Sequence, residues 1–455
     1  MLPFIAFLSF LILHTLFKQN SIPLNTRKNF IVAVSTFLLL SLYQQAEAQV
    51  GVPKWLKKDS TYKIQPYMMV QLWGTYTHNM LADTNGDGTV EEVENRFNPH
   101  IRRARLGFTA NPYPNLRYTV VAYYDGIGRD ALSASIGPGN NPDGTEFGIW
   151  DAFLQWQIKP GSQALNLIGG FFRPQLGRES ISSGFATTSG EKAMQQDYIR
   201  RHLVGTGPGR AVGLNLGGFV SNAIGTFHVN YNVGFFNPQN TSPLKNTVGV
   251  NWAPLLVGRA VLMFGDPEDT RYRIGYQTNF YNDRKGLSVG LGGSYQGETD
   301  IFTQSKALSI DFLFNWGRFN LDGDWHFMNR QNENIPSASG NGFVDYSSNA
   351  GHIRASFNFM VHDKILEPVV MLMRFNGAIN QAEQNDAHAV NFFSGSNETF
   401  NMGFNYYLDT HRLKLLAHYI VQNGEGGRNQ WVSQGALGES IERGSYFLLG
   451  LNAIF

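Results

Sequence analysis

Past Gln49 the chain contains no window of 18 consecutive apolar residues, yet segment after segment of about ten residues alternates between apolar and polar side chains. Such a chain is too polar to cross a bilayer as helices. Each alternating segment forms a strand with one apolar face and one wet face. In 227–236, Phe227, Val229, Tyr231, Val233 and Phe235 fall on one face, against His228, Asn230, Asn232 and Gly234. In 116–125, Leu116, Tyr118, Val120, Ala122 and Tyr124 oppose Arg117, Thr119, Val121, Tyr123 and Asp125. By the same period, Trp150, Ala152, Leu154 and Trp156 oppose Asp151, Phe153, Gln155 and Gln157. A soluble β-sandwich also alternates. The end of the chain favours a membrane barrel: Phe447, Leu449, Leu451, Ala453 and Phe455 make one apolar face that stops on the terminal carboxylate. That face resembles the C-terminal strand signal read by outer-membrane barrel-insertion machinery, so the expected fold is all-β, a transmembrane antiparallel β-barrel in the outer membrane.

Connections alternate between short and long, as expected when one rim faces the periplasm and the other the outside. The tight ones are 111–115, 160–164, 221–225, 361–364 and 409–411. The long polar ones, expected outside, are 79–98, 126–147, 174–210, 330–350, 376–398 and 423–443. A first count of 17 strands cannot close a barrel with both ends on one side. The ambiguous stretch is 247–264, which Pro254 either splits into two strands, giving 18, or which is one long strand with another segment miscounted, giving 16, the count favoured here.

The first 48 residues read as a leader cleaved after Ala48. An apolar run at 29–43 follows the basic pair Arg27 and Lys28 and precedes the small-residue site Ala46-Glu47-Ala48. The expected organisation is therefore leader 1–48, a short periplasmic segment 49–66 and barrel 67–455. The whole chain has 36 basic and 35 acidic residues; removing the leader's Lys18, Arg27, Lys28 and Glu47 leaves 33 against 34, which argues against bulk attraction to nucleic acid. The absence of cysteine excludes a disulfide scaffold, a thiol nucleophile and thiolate metal sites. No H-E-x-x-H arrangement is present, and an enzyme is not expected.

Two sets of residues carry chemistry. The stretch 83–94 fits the D-x-[DN]-x-[DN]-G-x5-E calcium loop. Asp83, Asn85, Asp87 and Glu91 would offer oxygens, Thr89 its carbonyl and Glu94 a bidentate carboxylate, to a structural Ca2+ in the first external loop. An acidic, solvated loop that matches by chance is the bland alternative. The second set is cationic. Arg103 and Arg105 share a face opposite Ala104, Leu106 and Phe108, and arginine facing lipid near the midplane would cost about 2–4 kcal/mol, so both are expected in the lumen. There they would either attract anions or form a structural ladder with lumen carboxylates. Arg117 joins the same wet wall. The stretch 173–210 adds Arg173, Arg178, Lys192, Arg200, Arg201 and Arg210 against Glu179, Glu191 and Asp197. Asp322 and Asp324, two apart on one strand, are expected to pair with lumen arginines.

The segments RRARLGFTANPYPNLRYTVVAYYDG, WDAFLQW, GGFFRPQLG, RAVGLNL and NVGFFN, in that order, resemble the phosphate-selective porin O and P family. The resemblance implies a homotrimer of 16-stranded barrels whose long third loop, here 174–209, folds inward to form a basic constriction. By the same resemblance Arg103 and Arg105 match wall positions, Arg173 follows the G-x-F motif and Arg210 opens the next strand. The context of that family's selectivity lysines is not reproduced, and the loop carries interspersed acids. The expected function is thus passive diffusion of small hydrophilic solutes with a weak preference for anions or phosphate. The alternative is a calcium-stabilised surface adhesin or structural anchor, suggested by the calcium loop and the long Asn- and Gly-rich stretches such as 329–348.

Overall fold

The computed structural model describes residues 63–82, 91–130, 132–133, 147–224, 227–244, 247–340, 342–410, 412–425, 441–442 and 444–455. The leader and most of the segment before the barrel lie outside these residues, as do Asp83, Asn85, Asp87 and Thr89 of the calcium motif. The alternating segments become antiparallel strands: β1 Lys63–His78, β2 Arg96–Tyr113, β3 Leu116–Tyr124, β4 Phe147–Gln157, β5 Asn166–Phe172, β6 Ala211–Ile224, β7 Phe227–Asn237 and β8 Leu255–Gly265. The other half comprises β9 Lys285–Gln296, β10 Gln304–Trp316, β11 Phe319–Pro336, β12 Phe343–Phe357 with its extension Phe359–Val361, β13 Lys364–Asn376, β14 Ser396–Asp409, β15 Leu413–Asn423 and β16 Ser445–Ile454. Each pairs with its neighbour in sequence, and β1 pairs with β16 from Met69↔Ile454 to His78↔Ser445. Closure leaves no edge with unpaired amides, which is what lets a sheet sit in hydrocarbon.

The outer wall shows where the bilayer lies. Tyr113, Tyr118, Trp156, Trp316 and Phe359 are exposed toward the rim of short turns, and Tyr76, Phe97, Phe147, Phe235, Tyr295, Phe327 and Phe447 toward the other. Between these aromatic girdles the outward positions are aliphatic, including Leu214, Val233, Leu291, Ile310, Ile353 and Leu372. The barrel is therefore an outer-membrane β-barrel that crosses with strands.

The barrel has 16 strands, but 247–264 is not one long strand: β8 begins immediately after Pro254, and 238–254 is an external connection. One other expectation about connections fails. The stretch 330–350 is mostly strand, since β11 continues to Pro336 and β12 starts at Phe343. Its polar side chains pair across the hairpin, as in Asn329 Nδ2 to Asp345 Oδ1 at 2.7 Å, and a long polar ribbon above the membrane reads like a loop. The connection 266–284 at the short-turn rim went unanticipated, and it turns back into the barrel.

Register shifts also break the strict period at several pairings, and two of them bear on the lumen. The β1–β2 register passes from Gln71↔Arg103 to Leu72↔Ile101, so Arg102 is an extra residue turned inward rather than toward lipid. The β3–β4 register passes from Val121↔Asp151 to Ala122↔Ile149, which turns Trp150 inward and corrects its expected place beside Ala152 and Leu154. We predict that Leu291→Arg, in the middle of the outward aliphatic band, costs about 2–4 kcal/mol of stability. Denaturant unfolding in lipid vesicles reads this directly, and unchanged stability would place Leu291 away from lipid.

Candidate constriction site

The third external connection, 173–210, enters the barrel as expected. It contains two helices, α1 Arg178–Ile181 and α2 Gln195–Val204, whose residues are almost all buried. Gly205 ends α2 in the left-handed conformation (φ 77°), which a glycine adopts without strain. The loop is fixed to walls on several sides by charged and polar pairs. Glu191 accepts from Arg102 Nε at 2.8 Å and from Arg103 Nη2 at 2.8 Å. Glu179 pairs with Arg354 on β12 at 3.1 Å, and the same guanidinium holds Asp322 at 2.8 Å and donates to Thr187 and Ser189. Arg330 on β11 donates to the carbonyl of His202 at 2.7 Å, satisfying an open end of α2. Lys414 on β15 donates to the carbonyl of Thr187 at 2.7 Å. At Gly184 a Cβ would lie 2.9 Å from the Arg103 guanidinium, so the loop approaches β2 closely and a larger residue would displace that side chain.

Apolar packing supports the same arrangement. Tyr198 of α2 stacks on Phe375 of β13 with ring centres 3.8 Å apart, and its other neighbour Phe393 comes from the connection 377–395, which also bears helix α3, Gln381–Ala389. Leu203, Val344, Met373 and Phe392 belong to the same buried cluster. The interior is thus partly a packed core rather than an open wet cylinder.

Several cations expected to line a pore are consumed by this packing. Arg178 is fully buried and pairs with Glu268 and Asp311. Arg200 is buried and donates to the Ser180 carbonyl. Lys192 is buried and donates to the carbonyls of Glu179 and Ser182. Burial, helped by Arg200 and Arg173, also pulls the Lys192 ammonium well below the ordinary lysine range. Arg103 spends its charge on Glu191. Arg201 is half-buried, 5.8 Å from the Phe393 ring centre. Asp322 does pair with an arginine, whereas Asp324 accepts from the backbone N–H of Glu179 at 2.9 Å.

The remaining cations gather at the base of the loop, on the β2–β6 wall. The Trp150 ring has the Arg105 guanidinium 3.6 Å and the Arg210 guanidinium 3.7 Å from its centre, with Arg173 at 5.4 Å. Asp125 pairs with Arg105 at 2.8 Å, and Asp151, whose side chain keeps 24% exposure, pairs with Arg210 at 3.0 Å. Arg173 is half-buried. Below them on β3, Arg117 is exposed, as are Arg271 and Arg273. This cluster was half legible. Arg105, Arg173 and Arg210 were expected, whereas Trp150 and Arg102 were hidden because no sequence period marks a bulge.

Glu179, Asp322 and His352 bring three possible metal-ligand atoms within 4.8 Å of one another. The Arg354 guanidinium already donates to both carboxylates, so the group is charge-satisfied without a metal. Of the calcium motif, Glu91 and Glu94 are described and exposed. Glu91–Val93 is a short strand paired with Met80–Ala82, not a helix. The i, i+3 spacing that joins carboxylates on a helix sets them on opposite faces of an extended ribbon.

No protein-family model and no curated protein matches the sequence. Solved structures do match. OmpF of Salmonella typhi, in complex with daunomycin, is 11% identical with a TM-score of 0.51, covering 86% of this chain and 98% of that one. OprB of Pseudomonas putida is 11% identical with a TM-score of 0.49, covering 87% and 94%. The outer-membrane channel DcaP of Acinetobacter baumannii is 11% identical with a TM-score of 0.48, covering 87% and 97%. The likeness to OmpF is one of fold: a closed 16-stranded antiparallel outer-membrane β-barrel.

Two carboxyls of the loop titrate in opposite directions. Burial alone would raise Glu191, but Arg102 and Arg103 outweigh it and hold the carboxyl down at about 2. Its contribution to loop stability is therefore complete above the ordinary value of about 4.3 and is lost as pH falls through about 2. Asp197 is fully buried, neither of its oxygens accepts a hydrogen bond from a described residue, and burial pushes it up to about 7. Its cost to the loop appears as pH rises toward 7. Hydrogen exchange of the loop amides should show Glu191→Gln less protected than wild type at pH 6 but not near pH 2. Asp197→Asn should match wild type at pH 4 and exceed it at pH 8. A pH-independent difference in either variant would contradict these assignments.

Proposed function

We propose that the protein is an outer-membrane porin for passive diffusion of small hydrophilic solutes, with a weak preference for anions, phosphate included. The observation that carries this reading is the cationic β2–β6 wall. Arg105, Arg173 and Arg210 meet at Trp150, Asp151 keeps part of its surface, and Arg117 lies exposed toward the periplasmic rim. Around α2 and at Arg178, Glu179 and Glu191 loop and wall are packed together, which supports a solute route along this wall. Arg173, half-buried, is the guanidinium of the three with surface left for an oxyanion, whereas Arg210 is buried and bonded to Asp151 and the Pro208 carbonyl. Asp151 offsets part of the charge, which fits a modest preference. The homotrimer stays part of the proposal on the family resemblance alone.

Reversal potentials in a salt gradient test this reading. Arg173→Ser should lower the anion-to-cation permeability ratio and Asp151→Asn should raise it. If neither moves the ratio, solute does not pass this wall. The packed apolar interior favours a second reading, a closed barrel acting as a surface adhesin or anchor. Purified wild-type protein that carries no current in planar bilayers would support that reading instead.

We also propose that Asp83, Asn85, Asp87, the Thr89 carbonyl and Glu91 hold a structural calcium ion at the tip of the first external hairpin, with Glu94 as the remaining candidate ligand. For an extracellular site the expected Kd is on the order of 10⁻⁴ to 10⁻³ M. Calcium should protect this hairpin from protease in wild type and lose that effect in Asp87→Ala. A small effect of Glu94→Ala would agree with the extended geometry of 91–93, and cleavage indifferent to calcium in wild type would remove the site.

A further inference from the structure

The connection 266–284 lies at the rim where the other described connections are short, such as 114–115 between β2 and β3 and 317–318 between β10 and β11. It does not extend away from the barrel. Tyr272 is buried against β6 and β7, donating to Asn232 Oδ1 at 2.5 Å and accepting from Asn215 Nδ2 at 2.8 Å. Farther along, Asn279 reaches the opposite side, donating to Glu367 Oε1 on β13 at 2.8 Å and exchanging side-chain hydrogen bonds with Asn358 at 2.9 Å. The segment therefore crosses beneath the inserted third loop.

It also grips that loop. Glu268 takes both terminal nitrogens of Arg178, at 2.8 and 2.7 Å. Thr278 Oγ1 donates to the carbonyl of Ala186 at 3.0 Å. The ring of Tyr276 lies 5.0 Å from the Arg178 guanidinium. Arg178 has one other carboxylate, Asp311 on β10, and Asp311 is already shared with Arg259. Without Glu268, two buried guanidinium groups would depend on one carboxylate, and an enclosed charge left short of a partner is strongly disfavoured. The place of Arg178 in the inserted loop thus depends on a residue supplied from the opposite rim.

We propose that 266–284 is a periplasmic latch that holds the third loop across the lumen through Glu268 and Thr278, so that release of Arg178 from Glu268 widens the passage. The conductance part of this proposal rests on the porin reading above; the latch itself does not. In a channel unlatched in this way the loop is retained by its other anchors, Glu179, Thr187, Ser189 and Glu191 among them, and the motion gained is local, around Arg178 and Ala186 within 178–192.

The test combines one charge change with one reversible lock. Glu268→Gln should shift the latched-to-unlatched ratio by roughly 100-fold, the size expected for breaking a buried pair. It should raise single-channel conductance and speed hydrogen exchange at 178–192. Thr278→Val should act in the same direction more weakly, and it guards against misfolding of the first variant. The chain has no cysteine, so Ala186→Cys with Thr278→Cys in the Glu268→Gln background gives one possible disulfide. Oxidation should restore the wild-type conductance and exchange, and reduction should undo the restoration. Wild-type exchange at 178–192 in both Glu268→Gln and Thr278→Val would overturn the latch. If no variant carries current but exchange still responds, the porin reading fails and the latch stands.

Discussion

The structure depends on keeping arginine inside a barrel. A guanidinium does not give up its proton at physiological pH, so each one enclosed between wall and loop needs a carboxylate, a carbonyl or an aromatic face within reach. Arg102 and Arg103 find Glu191, Arg354 finds Glu179 and Asp322, and Arg178 finds Glu268 and Asp311. In each of these groups a wall residue meets a residue of the third loop. The loop is therefore as much a partner for the wall's charges as an obstacle placed in the lumen. Arg105 is an exception, since its carboxylate, Asp125, comes from the wall side, and its cluster is the one that keeps some exposure.

That division gives the interior two regions with different roles. Around α2 and the connection 377–395 the lumen is packed like a soluble core, with Tyr198 on Phe375 and Arg330 closing the helix end. Along β2–β6 the side chains are polar, stacked and partly open. A barrel of this size can hold a folded insert and still leave a narrow wet route, and the sign of charge along that route decides which ions it favours.

Much of this was legible in the sequence. Period two identified the strands and the lipid face, and the cost of arginine in hydrocarbon put Arg103 and Arg105 inside. The long basic stretch 173–210 reads by itself as an external loop, and its inward fold was implied by the family resemblance alone. Alternation could not reveal Arg102 or Trp150, because a bulge adds one residue and reverses the face of everything on one side of it. Nor could it reveal which of the loop's cations would be neutralised, because Glu191 and Arg102 are far apart in sequence and meet only through the fold. The connection 266–284 carries Tyr272, Tyr276 and Asn279 with no regular period, and its inward turn is set by hydrogen bonds to distant strands. The ribbon at 330–350 misled for the opposite reason, since polar residues on both faces look like loop even when their backbones are paired.

The most direct check of the account uses the absence of cysteine. A single cysteine placed at Thr119, on the lumen side of β3, should react readily with a water-soluble thiol reagent and reduce the current. One placed at Ser309, which is fully buried beneath the third loop, should react slowly and leave the current unchanged. Equal reactivity at the two positions, or block from Ser309→Cys alone, would mean that water and solute do not follow the β2–β6 wall.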